Sequence, residues 1–206
     1  MKAETRRLVP RLPLLMGTLF ALALAPATTQ AAVVINQPQS MGFGVMYPFM
    51  PGQTFTAVGT RIDTIGVELR NMNKSRPGSL VSLSLYEGEG SGGTLLASSS
   101  VDVRALLGDA GGAALVDFNL GAVKLQPGQT YSFQLTASDE RFGVSYYSVL
   151  GEDAYPGGHM FNAFQSEPLG DLTFNVTAVP EPGMAALLLI GGGWLAGVRL
   201  RAGRRR

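Results

Sequence analysis

The sequence has no cysteine and a single histidine, His159. The first absence removes disulfides, thiol catalysis and zinc–thiolate sites together. The second removes any multi-histidine metal centre. One tryptophan, Trp194, lies near the C-terminus, so the central part of the chain has no indole ring. No Gly-x-Ser-x-Gly elbow occurs, and His159 sits in the turn-rich stretch Tyr155-Pro156-Gly157-Gly158-His159. It reads as an exposed loop residue, with no signature of a hydrolase triad around it. The glycine-rich stretches 88–93 and 108–112 are not followed by a helical pattern, which excludes a phosphate-cradling loop.

Charge is scarce and unevenly placed. Lys2, Arg6, Arg7 and Arg11 crowd the N-terminus, and Arg199, Arg201, Arg204, Arg205 and Arg206 crowd the C-terminus. Between them, residues 32–179 carry seven basic and thirteen acidic side chains, so the overall net charge of +1 conceals an acidic body. An acidic body argues against nucleic acid as a partner, because phosphate neutralisation needs clustered Lys and Arg. A body of roughly 150 residues buries enough surface to be stable without disulfides.

The two ends read as addresses. The basic residues Lys2–Arg11 precede an apolar run, Leu12–Ala25, and Thr29-Gln30-Ala31 has the small-x-small form of a cleavage site. This is the pattern of a secretory signal peptide over residues 1–31, with cleavage expected after Ala31. At the other end, Val179-Pro180-Glu181-Pro182 is stiff and extended because each proline fixes its own φ and biases the residue before it. The apolar segment 183–198 follows, and as a helix it would measure about 24 Å. That is slightly short for a hydrocarbon core, but Arg199 can snorkel and Leu200 can extend it. The terminal arginines act as a membrane stop, held on the cytoplasmic side by the positive-inside bias.

The order of a Val-Pro-Glu-Pro motif, a short apolar helix and an arginine-rich end resembles the PEP-CTERM sorting signal of Gram-negative bacteria. The resemblance covers residues 179–206. It implies recognition by an exosortase, a transpeptidase-like membrane enzyme, with processing near Pro180-Glu181-Pro182. It also implies transient anchoring in the inner membrane, a destination at the cell surface or outside it, and an association with exopolysaccharide. Gly191-Gly192-Gly193 departs from a strong helix former, although glycine is common in membrane helices.

Between the addresses, short period-two runs alternate with turn signals. Val81, Leu83 and Leu85 alternate with serines; Tyr131, Phe133 and Leu135 alternate with Ser132, Gln134 and Thr136. Residues 61–70, 114–120 and 172–178 show the same alternation. Each run suits a strand with one buried face. No sustained helical period occurs, and Val101–Leu107 is the one stretch suited to a single helical turn. The expected fold is therefore all-β, an antiparallel sandwich of eight or nine short strands, jelly-roll-like, over residues 32–178. Pro127-Gly128 predicts a type II turn, and Tyr131 just beyond it is placed like a tyrosine corner. Gln53–Ala57, Ser84–Gly88, Gly93–Ala97 and Leu125–Tyr131 resemble segments of a jelly-roll domain recurrent in exported bacterial proteins with C-terminal anchors. That resemblance implies a lectin-like sandwich with a binding or structural role.

Candidate chemistry is sparse. Tyr146, Tyr147 and Tyr155 are the rings near loops that can stack on a sugar, but Tyr146 and Tyr147, if in a strand, must face opposite ways. Asp139, Glu140, Glu152 and Asp153 offer hard oxygen ligands, and calcium is the one cofactor they suit. Their spacing does not match an EF-hand loop. The expected protein is an exported surface or extracellular-matrix component without catalytic activity. The alternatives are a carbohydrate-binding module for secreted polysaccharide and a glycan-active hydrolase, which would need two carboxylates facing across a cleft.

Overall fold

The computed structural model describes residues 32–72, 80–107, 111–137, 142–164, 166–167 and 170–178. The signal-peptide segment 1–31, the motif Val179-Pro180-Glu181-Pro182, the apolar segment 183–198 and Arg199, Arg201, Arg204, Arg205 and Arg206 lie outside the described residues. So do Asp139 and Glu140.

The described chain is all-β, with two antiparallel sheets packed as a sandwich. In chain order its strands are β1 (Ala32–Gln37), β2 (Gly42–Val45), β3 (Gly52–Thr56), β4 (Arg61–Asn71), β5 (Leu80–Glu87), β6 (Leu95–Asp102), β7 (Ala113–Lys124), β8 (Thr130–Ala137), β9 (Phe142–Ser148), β10 (Met160–Phe161), β11 (Ser166–Glu167), β12 (Gly170–Leu172) and β13 (Phe174–Ala178). One sheet runs β1-β13-β4-β9-β12, with β2 added on β9 and β7 added on β4. The other runs β11-β10-β3-β8-β5-β6. There are thus more strand segments than the eight or nine expected. The surplus is in short pieces such as β10 and β11, two residues each, which are too brief to show any alternation.

The alternating runs become strands for the expected reason. Val81, Leu83 and Leu85 of β5 are fully buried while Ser82 and Ser84 between them are not. Their partners across the sandwich include Val67 and Leu69 of β4 and Phe174 of β13, so the two inner faces make one apolar core. The core is ring-rich: Phe133 of β8 lies 5.6 Å from Phe174 of the opposite sheet and 6.5 Å from Phe55 of β3. Each fully buried phenylalanine contributes about 1.5–3 kcal/mol through removal of apolar surface from water. The expected helical turn is present as α1 (Arg104–Leu107), where the Arg104 N–H donates to Asp102 Oδ1 at 3.1 Å and Leu107 is buried. Among the described residues no helix is long and apolar enough to cross a membrane.

The Pro127-Gly128 turn forms as the dipeptide predicts. Gly128 has φ +80°, which a β-carbon would disfavour, and the Gln129 N–H donates to the Gln126 carbonyl at 3.1 Å. Tyr131 returns its hydroxyl to the same turn, accepting the Gln126 N–H at 2.9 Å, and is itself buried. This is the arrangement of a tyrosine corner. The turn sits at the start of β4, where the Leu125 N–H donates to the Thr60 carbonyl. The two ends of the sandwich body meet there too. Ala32 pairs with Ala178, and Thr177 pairs with Thr64 near the beginning of β4.

Candidate functional site

The far end of β4 is built differently. Leu69 pairs with Val144 of β9, and Val144 pairs in turn with Gly44 of β2. Opposite them, in the other sheet, Met160 and Phe161 of β10 pair with Gln53 and Gly52 of β3. The two sheets do not close over this edge. They leave a cleft of about 200 Å³, lined by Gly44, Val45, Val144 and Tyr146 from one sheet, Met160, Phe161 and Asn162 from the other, and Phe49 and Pro51 from the connection between β2 and β3.

Three local features shape this cleft. Tyr146 crosses over β2 at its two glycines: a β-carbon at Gly42 would stand 3.3 Å from the Tyr146 hydroxyl oxygen, and one at Gly44 would stand 3.7 Å from its ring. Glycine is a poor strand residue, and here it allows the ring to lie close against the backbone. The connection 46–51 is pinned by backbone bonds, with the Met46 N–H donating to Phe142 O at 2.9 Å and the Leu135 N–H donating to Pro51 O at 2.8 Å. Its residue Met50 has φ 47°, a left-handed conformation that costs a methionine roughly 1 kcal/mol or more. Gln134 Nε2 holds it by donating to the Met50 carbonyl at 3.2 Å. Finally, Phe49 and Phe164 meet edge to face, centroids 5.9 Å apart, at the rim. They are 43% and 72% exposed, so neither ring is part of the core. Asn162 Oδ1 accepts the Phe164 N–H at 2.8 Å and the Ala163 N–H donates to Phe49 O at 2.8 Å, which ties the two ring-bearing segments together.

The described lining of the cleft is also uncharged. Residues 32–60 and 154–166 contain no Lys, Arg, Asp or Glu, and these two stretches supply most of the lining. Arg70 stacks its guanidinium over the Phe43 ring at 4.8 Å, on the face of β2 away from Tyr146. Of the large exposed apolar side chains in residues 41–50, Phe49 lines the cleft, and Phe164 joins it at the rim.

The three tyrosines singled out from the sequence are not brought together. Tyr146 lines the cleft, half-buried, and its hydroxyl makes no hydrogen bond among the described residues. Tyr147, the next residue of the strand, projects from the opposite face and donates its hydroxyl to Glu152 Oε2. That bond, together with a smaller contribution from burial, raises its pKa above the ordinary 10.0. Tyr155 turns inward and packs edge to face on Phe174 with centroids 5.4 Å apart, and burial raises its pKa. Glu152 and Asp153 are exposed, and Asp153 Oδ1 accepts the Tyr155 N–H at 3.1 Å. Among the described residues no three Asp, Glu or His side chains converge.

His159 is not the exposed loop residue that its turn-rich surroundings predict. It is half-buried, because residues 157–159 dock onto β3 as a backbone extension of β10. The His159 N–H donates to Thr54 Oγ1 at 2.7 Å, and its carbonyl accepts the Thr54 N–H at 2.9 Å. A β-carbon on Gly158 would stand 1.9 Å from the Thr54 carbonyl oxygen, so glycine is what permits this docking.

A buried polar bridge behind the cleft went unread in the sequence. Asp171, 1% exposed, accepts Gln53 Nε2 at 2.8 Å on Oδ1 and the Tyr155 N–H at 2.9 Å on Oδ2. Gln53 Oε1 in turn accepts the Leu172 N–H at 2.9 Å, so this glutamine ties the two sheets together. Burial raises the Asp171 pKa above its ordinary 3.8, opposed by the Gln53 and Tyr155 hydrogen bonds. A lone Asp after Leu169-Gly170 carries no local signal of this role. No protein-family model matches the chain, and comparison with curated proteins finds no relative.

Proposed function

We propose that this chain is an exported, non-catalytic surface or extracellular-matrix protein, sorted by a PEP-CTERM-like tail, with a jelly-roll-like body. The supporting observation is the juxtaposition of its two addresses. Ala32, the first residue after the expected cleavage, pairs with Ala178, the last before Val179-Pro180-Glu181-Pro182. Segments 1–31 and 179–206, read as addresses, would thus both join the body at one end. In this reading the signal peptide threads the chain outward, the segment 183–198 halts it in the inner membrane, and Arg199, Arg201, Arg204, Arg205 and Arg206 keep its end inside. The extended Pro180-Glu181-Pro182 then presents backbone to an exosortase-type enzyme.

Intact-mass analysis of the protein from membrane and extracellular fractions of its native cell tests this. The expected species begins at Ala32 and ends near Pro180-Glu181-Pro182. A mature protein that retains its terminal arginines would be a permanently anchored one and would overturn the processing step.

A second reading, a carbohydrate-binding module, is favoured by the cleft with its exposed rings and by a Tyr146 hydroxyl that makes no hydrogen bond among the described residues. The hydrolase alternative has less support, since the described lining of the cleft holds no carboxylate.

A further inference from the structure

We infer that the cleft between β2–β9 and β10 is a binding site for one uncharged pyranose ring, with Tyr146 as its platform and Phe49 and Phe164 as its lip. This rests on the carbohydrate-binding reading and assigns it a place, a size and a charge preference.

Size comes first. An enclosed apolar cavity of about 150 Å³ accepts benzene, and this open-sided cleft measures about 200 Å³, room for one ring with its substituents projecting to solvent. It suits a single sugar unit rather than the groove-length span of an internal polysaccharide segment. Chemistry comes second. A pyranose presents C–H faces to aromatic rings and hydroxyls at its edge. The cleft offers both in one residue: the Tyr146 ring is seated against Gly42 and Gly44, and its hydroxyl has no partner among the described residues. A purely hydrocarbon ligand would leave that hydroxyl desolvated without a hydrogen bond, which is unfavourable. A β-carbon at Gly42 would stand 3.3 Å from the Tyr146 hydroxyl oxygen, so glycine there lets the ring lie close against β2.

Charge comes third. The described lining contains no ionisable group besides Tyr146, and residues 32–179 as a whole carry thirteen acidic against seven basic side chains. A uronate or sulfated sugar would find no cationic partner in the described lining and would approach a body of net negative charge. Position comes last. The paired ends of the body lie beside Thr64, and the cleft lies beside Leu69, five residues further along β4. At the rise of a strand this is about 17 Å. While the tail holds the body to a membrane, the cleft is carried on the far end of the sheet.

Affinity electrophoresis and titration of the full protein test the inference. The probes are four neutral glycans (a β-glucan, a mannan, a galactan and chitin oligosaccharides) and polygalacturonate as the acidic comparison. At least one neutral glycan is expected to retard the protein, insensitively to salt, and polygalacturonate is not. Phe164→Ala, at an exposed rim position, is expected to weaken that binding about tenfold, and Tyr146→Phe several-fold, with unchanged thermal melts. Neutral-glycan binding that neither variant alters would overturn this site while leaving the module reading in place. Binding of polygalacturonate as tight as that of the neutral glycans would overturn the charge preference. No retention by any of the five would overturn both the site and the module reading. Retention on alkyl-agarose that Phe164→Ala abolishes, without glycan binding, would make the cleft an apolar docking site and overturn the inference as well.

Discussion

Two tyrosines, at opposite ends of β4, show how differently the two ends of this sandwich are built. At the end where the chain enters and leaves, Tyr131 is buried and its hydroxyl accepts the Gln126 N–H, closing a turn that Gly128 makes possible. At the other end, Tyr146 is half-buried and its hydroxyl bonds to nothing among the described residues. The first end spends its polar groups on itself. The second leaves a ring, a hydroxyl and a rim of exposed phenylalanines to meet something else. The Tyr131 hydroxyl is committed to its turn, whereas the Tyr146 hydroxyl, with no hydrogen bond among the described residues, stays open to solvent beside the cleft.

Substitutions at each end should separate closure from availability. The largest effect is expected at Gly158. Its replacement by Ala drives a β-carbon into the Thr54 carbonyl, displacing the segment that carries Met160, Asn162 and Phe164. A loss of about 3 kcal/mol in denaturant unfolding is expected. A melt equal to wild type would mean that this segment is not docked as described.

Asp171→Asn should come next, at about 2 kcal/mol, because an amide NH₂ must then face the donors of Gln53 or Tyr155. It also has a pH signature. The folded-state pKa of Asp171 is raised, so its contribution to stability is full below the unfolded value near 3.8 and is lost as pH rises through the folded value. The wild type should therefore show a downward component of stability over that interval which Asp171→Asn lacks. Parallel pH–stability curves would count against a buried, ionising Asp171.

The smallest effects form the sharpest contrast. Tyr131→Phe orphans the Gln126 N–H and should cost about 1 kcal/mol. Tyr146→Phe removes a hydroxyl with no hydrogen bond among the described residues and should change stability by less than about 0.5 kcal/mol. Equal losses from the two would erase the distinction between the ends.

Much of the first end was legible in the chain. Pro127-Gly128 followed by Tyr131 carries its own turn chemistry, and the alternations of 81–85 and 131–135 carry their own strand faces. The candidate site was legible only in pieces. Opposite orientations for Tyr146 and Tyr147 follow from strand geometry, but which of them meets a cleft does not. Phe49 and Phe164 stand 115 positions apart in sequence numbering and are joined by a backbone bond, Ala163 N–H to Phe49 O, that no local pattern encodes. Residues 41–50 carry a signal of their own: seven large apolar side chains, two glycines and no charge, a composition too apolar for an ordinary surface connection.

The amino-acid order by itself determined the class of fold, because period two forces one face of each strand inward wherever that face is apolar. It also specified the turn that needs Gly128 and the strongly biased composition of both ends. The tertiary structure decided everything that depends on which strands become neighbours. It placed Ala32 beside Ala178, set Gln53 against Asp171 across the two sheets, turned Tyr155 into the core, and left Tyr146 beside an open edge. Alternation fixes the side to which a residue points; the partner waiting on that side comes from a distant part of the chain, and only packing the two sheets together selects it.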